Sequence, residues 1–221
     1  MTISKPLFIS GDRNYSSSSL RVWLLLNEFE LPFEETNIKL FQSDTVEKIA
    51  MFSPSLQLPV LIHGSVKVWD SLAICEYINE TFLEGRAWPQ HTKKRAAGRS
   101  IANELHADFQ HFKKDWPMNC QLQAQMKSSA AIEKEIARLD SIIYCCRTNF
   151  GDGGSYLFGR FSIVDCILAP MAIALNAYGA ELSEQSCKYI QTLLSNSNLE
   201  WWLEQAEIEI ELQDIEWDQT A

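Results

Sequence analysis

Residues 56 to 78, LQLPVLIHGSVKVWDSLAICEYI, restrict this chain more than any other stretch, because they specify a strand, a tight turn, a second strand and a helix in immediate succession. Val60 to Ile62 and Val66 to Trp69 suit a pleated surface, and Gly64-Ser65 between them favours a hairpin. Pro59 opens the first of these strands; it has no N–H and pushes Leu58 extended, leaving backbone groups open to an outside peptide. Asp70 and Ser71 stand at the start of the following helix, where unpaired N–H groups and side-chain oxygens can receive a small zwitterion.

The rest of the first 84 residues fits around this hairpin. Pro6 to Ile9 and Phe33 to Ile38 read as strands. Leu20 to Phe29 reads as a helix with Val22, Leu25, Leu26 and Phe29 on one face and Leu20, Trp23 and Leu24 on another, so it is expected to be covered on both sides. Asp44 to Met51 is a short, weakly amphipathic helix. The order β-α-β, α, then β-β-α matches an α/β thioredoxin-like domain over residues 1–84. Gly85, Pro89 and their polar neighbours mark a linker at 85–92, and residues 93–221 read as an all-α helix bundle.

In that second half, Ala97, Ile101, Leu105, Phe109 and Phe112 predict one long helix, and Ile132, Ile136, Leu139, Ile143 and Cys146 another. Ser162 and Asp165 have capping-box spacing, bracketed by Phe161 and Cys166, and stabilise the start of an almost wholly apolar helix, Ile163 to Tyr178, by about 1 to 2 kcal/mol. The acidic tail from Glu204 to Asp218, with its alternating charged and apolar residues, has no role that the sequence specifies beyond the plain one of capping the bundle.

Asn14-Tyr15-Ser16-Ser17-Ser18-Ser19-Leu20-Arg21-Val22 joins the first strand to the first helix. Hydroxyls at a helix start, where N–H groups lack partners, make an anion site, and a thiol held there ionises more readily. An ordinary N-cap role for Ser16 or Ser17 explains the segment equally well by itself.

Composition removes several functions. Nineteen basic residues against 29 acidic ones, a formal charge of −10, argue against a nucleic-acid partner, the densest basic run being Lys93, Lys94 and Arg95 at a helix start. No apolar run reaches the roughly 18 residues that span a bilayer, and the first ten residues lack a secretion signal, so a cytoplasmic protein is expected. The six cysteines contain no C-x-x-C pair, and most read as small buried hydrophobes rather than metal ligands or disulfides. His106, Asp108 and His111 are tempting as acid-base or metal groups, but the five-residue spacing of the histidines puts them on different helix faces; solvated or packing roles are expected.

Taken together, SSSSLRV, QLPV and WDSLAI resemble the serine-type glutathione transferases, close to the zeta class and its bacterial relatives, and FSIVD resembles that family's capping motif in the second domain. The resemblance implies a cis Pro59, glutathione as co-substrate, a small electrophile as second substrate, and a homodimer. It implies Ser16 as the residue that activates the sulfur, with Ser17 next because the serine run leaves the register open. Leu58 is implied to pair with the cysteinyl backbone, and Asp70 with Ser71 to hold the γ-glutamyl end. Tyr15 is the competing activator, as in the tyrosine classes, and no cysteine occurs in the first 74 residues for disulfide exchange. Residues 105–112 with 116–119 resemble the part of bacterial relatives that lines the electrophile pocket. An isomerase of the maleylacetoacetate type is a second reading, weakened because the substrate-binding arginine of that class falls near Ala177, in a stretch with no basic residue. A non-catalytic dimeric scaffold is the third.

Overall fold

The computed structural model describes residues 5–124 and 127–209. Four strands form one mixed sheet in the order β2-β1-β3-β4: β1 (Leu7–Gly11), β2 (Glu34–Ile38), β3 (Val60–His63) and β4 (Val66–Trp69). β1 runs parallel to β2 and antiparallel to β3, and β3 pairs antiparallel with β4 across the predicted hairpin. The helices α1 (Ser17–Glu28), α2 (Thr45–Ala50) and α3 (Ser71–Thr81) complete the thioredoxin-like unit.

Strand alternation sorts the apolar side chains into two layers. Ile9, Ile38 and Val60 face Ile49 of α2 in a small cluster, whereas Phe8 and Leu61 point to the opposite face and join the main core. α1 packs on α3 and on α7 (Ile163–Ala177), and Leu20, Val22, Leu24, Leu25 and Leu26 are fully buried, so it is covered on both sides as its sequence predicts. That double burial holds the start of α1 fixed against both halves of the molecule.

The remaining helices are α4 (Thr92–Ala107), α5 (Gln110–Asp115), α6 (Ala130–Phe150), α8 (Glu184–Leu194) and α9 (Ser197–Ile208). The single long helix expected through Phe112 is broken between α4 and α5. Asp108 is extended and Phe109 has φ +62°, which a helix cannot continue through. The ends created by the break are satisfied by side chains: Lys113 Nζ donates to the His106 and Asp108 carbonyls, and the Glu135 carboxylate accepts from the His111 and Phe112 N–H groups. Spacing of apolar residues alone cannot reveal such a break, because Phe109 and Phe112 remain buried on either side of it.

Residues 85–92 are not a loose connection. Ala87 and Trp88 are buried in the shared core, the Ala87 carbonyl accepts from the Ile163 N–H, and Trp88 Nε1 donates to Glu76. The capping box forms as predicted, with the Asp165 carboxylate accepting from the Ser162 N–H and hydroxyl. Of the cysteines, Cys75, Cys146 and Cys166 are buried, Cys120 is half-buried, and Cys145 and Cys187 are exposed, so half of the six rather than most take the buried role expected. No helix among the described residues is long and apolar enough to cross a membrane. The acidic stretch is described only as far as Glu209; residues 210–218 of it, and the first four residues of the chain, lie outside the described residues.

Candidate active site

Ser16 is the N-cap residue of α1, but its hydroxyl makes no cap hydrogen bond. It donates instead to Ser19 Oγ at 2.7 Å, and Ser19 Oγ also accepts the Gly11 N–H at 3.0 Å. The ordinary cap role considered for Ser16 is therefore not the one it plays. Among the described residues nothing accepts the Ser18 and Ser19 N–H groups, so the first turn of α1 keeps donors and the positive end of the helix dipole for an anion. Ser17 is half-buried at the first helical position, with no hydrogen bond to its hydroxyl among the described residues. Tyr15 packs its ring edge-on against Phe41 at 5.7 Å.

The loop before Ser16 is clamped by the far end of the chain. The Glu209 carboxylate accepts from the Arg13 and Asn14 N–H groups, and Trp202 Nε1 donates to the Arg13 carbonyl. The Arg13 guanidinium pairs with Glu35 at 3.1 Å and lies over the Trp201 and Trp202 rings at 5.5 and 5.3 Å. Glu209, in the acidic tail whose role the sequence leaves open, thus holds the loop that presents Ser16.

The Leu58-Pro59 peptide bond is cis, and Leu58 lies just outside β3, with no hydrogen bond to its backbone among the described residues. Asp70, at the N-cap of α3, has φ +72° and ψ 130°, a strained position that costs on the order of 1 to 3 kcal/mol. Its Oδ1 accepts from the Leu72 and Ala73 N–H groups. Its Oδ2 lies 2.9 Å from His106 Nε2. Partial burial would raise its pKa, but the hydrogen bond from His106 and the two backbone donors outweigh burial and hold it below the usual carboxylate range. Ser71 is buried and lies 3.4 Å from Arg21 Nη1.

The structure thus brings Asp70 and Ser71 together at one helix start, and Ser16 with Ser17 at another. It also engages three residues, Ser19, Glu209 and His106, to which the sequence reading gave no part in this site. Ser19 was legible, since a residue three positions after Ser16 lies on the same helical face. Glu209 and His106 were not, because their partners are 195 and 36 residues away along the chain. The aromatic segment expected to line an electrophile pocket is packed inward: Leu105, Phe109, Phe112, Trp116 and Met118 are all buried, with Trp116 stacked on Tyr178 at 5.1 Å. The open cleft of about 990 Å³ beside Trp88, Arg86 and Phe161 lies at the opposite end of α1, against Glu28 and Phe29, and contains none of these groups.

A family profile described as the glutathione S-transferase N-terminal domain matches residues 15–81. Glutathione S-transferase 1 of Dianthus caryophyllus is 30% identical over 178 residues, covering 76% of this chain and 78% of that protein. A Burkholderia glutathione transferase homologue solved with bound glutathione superposes with a TM-score of 0.70 at 19% identity, covering 93% of this chain and all of that one. A zeta-class bacterial maleylpyruvate isomerase superposes at 0.68 with 17% identity, covering 89% of this chain and 95% of that one.

Proposed function

The chain belongs to the glutathione S-transferase family, and from that premise we propose that it activates the thiol of glutathione through the Ser16 hydroxyl for attack on a small electrophile. The observation that carries this reading is the hydrogen-bonded row Gly11 N–H, Ser19 Oγ, Ser16 Oγ at an uncapped helix start. Hydroxyl protons rotate, so Ser19 can turn its O–H toward Ser16 and release the Ser16 proton toward a sulfur while Gly11 still donates to Ser19. Each bond in such a row polarises the next, and the last one favours thiolate over thiol. Ser17, whose hydroxyl is unpaired among the described residues, is the second candidate for the same task.

In this reading Leu58, freed by Pro59, pairs with the cysteinyl backbone of the tripeptide, and Asp70 with Ser71 holds its γ-glutamyl end. The thiol proton leaves to solvent, the thiolate pair forms a bond to the electrophilic carbon, and a leaving group such as halide departs with its own bonding pair. Residues 1–84 then supply the glutathione site, residues 85–92 connect, and residues 93–221 supply the wall facing the electrophile, in a homodimer. The isomerase reading lacks comparable support, because the α7 stretch around Ala177 offers no cation for a substrate carboxylate.

Incubating the protein with glutathione and an aryl halide, and following the thioether, tests the proposal. Conjugation well above the uncatalysed rate is expected, and a folded protein giving only the background rate would contradict it. A second expectation concerns Gly11. A Cβ there would sit 3.0 Å from Ser16 Oγ and 3.1 Å from its Cβ, so Gly11→Ala should shift Ser16 off Ser19. We expect kcat/KM for conjugation to fall about tenfold, the size of one weakened charge-assisted hydrogen bond, while the melting temperature changes little. Wild-type kinetics in that variant would separate catalysis from the row.

A further inference from the structure

Both side chains assigned to the γ-glutamyl end are held by groups outside their own helix. His106, at the end of α4 in the helical half, has Nε2 at 2.9 Å from Asp70 Oδ2 and Nδ1 at 3.0 Å from Arg21 Nη1. Arg21 Nη1 also reaches Ser71 Oγ at 3.4 Å. A guanidinium only donates, so Nδ1 must accept, the ring proton must sit on Nε2, and that N–H points at Asp70. Arg21 is only 4% exposed, its Nε has no partner among the described residues, and burial lowers its pKa while Asp70 opposes the change. The buried charge is therefore balanced by Asp70 through the imidazole. Lys113, whose amine donates to the His106 carbonyl, closes the same corner from α5.

Resting on the glutathione reading, we propose that His106 is a positioning residue for recognition of the ligand's α-ammonium group. Asp70 Oδ1 is occupied by two backbone donors, and His106 takes one lone pair of Oδ2. The other lone pair is left for an incoming ammonium, on a side chain still 46% exposed. Through Arg21 the same imidazole steadies Ser71. The helical half thus contributes to binding the amino-terminal end of the tripeptide without touching it, and the site selects a peptide that carries a free α-amino group over one that lacks it.

Titration calorimetry with glutathione and with its deaminated analogue, glutaryl-cysteinyl-glycine, on wild type, His106→Leu, His106→Gln, Asp70→Asn and the Asp70→Asn/His106→Leu double variant tests this. His106→Leu is expected to weaken glutathione binding about tenfold or more, the size of one hydrogen bond to a charged group. In kinetics its KM for glutathione should rise while kcat holds. His106→Gln, whose amide can donate to Asp70 and accept from Arg21, should recover most of the loss. The deaminated analogue should bind wild type and His106→Leu alike, and His106→Leu should cost little more once Asp70 is asparagine. Equal glutathione affinity in wild type and His106→Leu, or an equal loss for both ligands, would overturn the proposal while leaving the glutathione reading intact. Wild-type protein that binds no glutathione would overturn both.

Discussion

Ser16→Ala protein is expected to retain glutathione binding but to lose about 10- to 100-fold in kcat/KM for conjugation, because a hydrogen bond to a charged group is worth about 1.5 to 3 kcal/mol. The same free energy appears in the thiol itself. One pKa unit corresponds to about 1.4 kcal/mol, so the bound thiol should titrate about one to two units higher in the variant than in wild type. Thiolate absorbance measured against pH in the binary complex reads this shift directly, apart from any change in affinity. Ser17→Ala and Tyr15→Phe serve as controls for register, since the Ser17 hydroxyl lies outside the row through Ser19 and the Tyr15 ring packs against Phe41. If Ser17→Ala carries the loss and Ser16→Ala does not, the activating hydroxyl is one position further on. If Tyr15→Phe alone carries the loss, the tyrosine hydroxyl is the activator; if none of the three variants does, hydroxyl activation is wrong and the helix start alone, or another group, lowers the thiol pKa.

The largest effect on stability is expected at Asp165. Its wholly buried carboxylate accepts from the Leu157 N–H, the Ser162 N–H and hydroxyl, and the Tyr189 hydroxyl at 2.9 to 3.1 Å. It therefore ties α7 to the 157–162 turn and to α8. Asp165→Ala strands four donors in the core, at about 1 to 3 kcal/mol for each that finds no new partner, and a loss of about 4 kcal/mol or more is expected. For a chain of this size that lowers the melting temperature by on the order of 10 °C. The carboxylate also carries a pH signature. Burial pushes its pKa up to about 6 even though the four donors pull it down. The folded protein then keeps this proton where the unfolded chain has released it, so the associated stability is present below about pH 4 and is lost as pH rises through 6. Denaturant unfolding of wild type and Asp165→Asn between pH 4 and 7 checks this, the wild type alone showing that local downward slope. Parallel slopes in the two proteins would remove Asp165 as its source.

Much of this arrangement could be read from the chain because it is local. The hairpin around Gly64-Ser65, the capping box at Ser162 and Asp165, the doubly buried first helix and the approximate span of every strand follow from short-range turn chemistry and from periodicity. The break at Phe109 could not be read, since apolar spacing continues across it and the groups that stabilise it, Lys113 and Glu135, act through tertiary contacts. The inward packing of Trp116 and Met118 was hidden for a related reason: aromatic content is the same for a pocket wall and for a core. Within the site, Ser16, Leu58, Pro59, Asp70 and Ser71 stand in short motifs and could be named, while His106 and Glu209 depend on folding distant segments together. Spacing arguments excluded a shared helical face for His106 and His111 but could not anticipate that His106 would meet a carboxylate from the other half of the molecule.

A crystal structure of the glutathione complex bears most directly on the central claim, that a peptide thiol rests at the uncapped start of α1. The expected result places the sulfur within hydrogen-bonding reach of Ser16 Oγ, the cysteinyl backbone paired with Leu58, and the α-ammonium on Asp70 Oδ2. A sulfur directed away from every hydroxyl between Tyr15 and Ser19, or a tripeptide bound elsewhere on the fold, would contradict it.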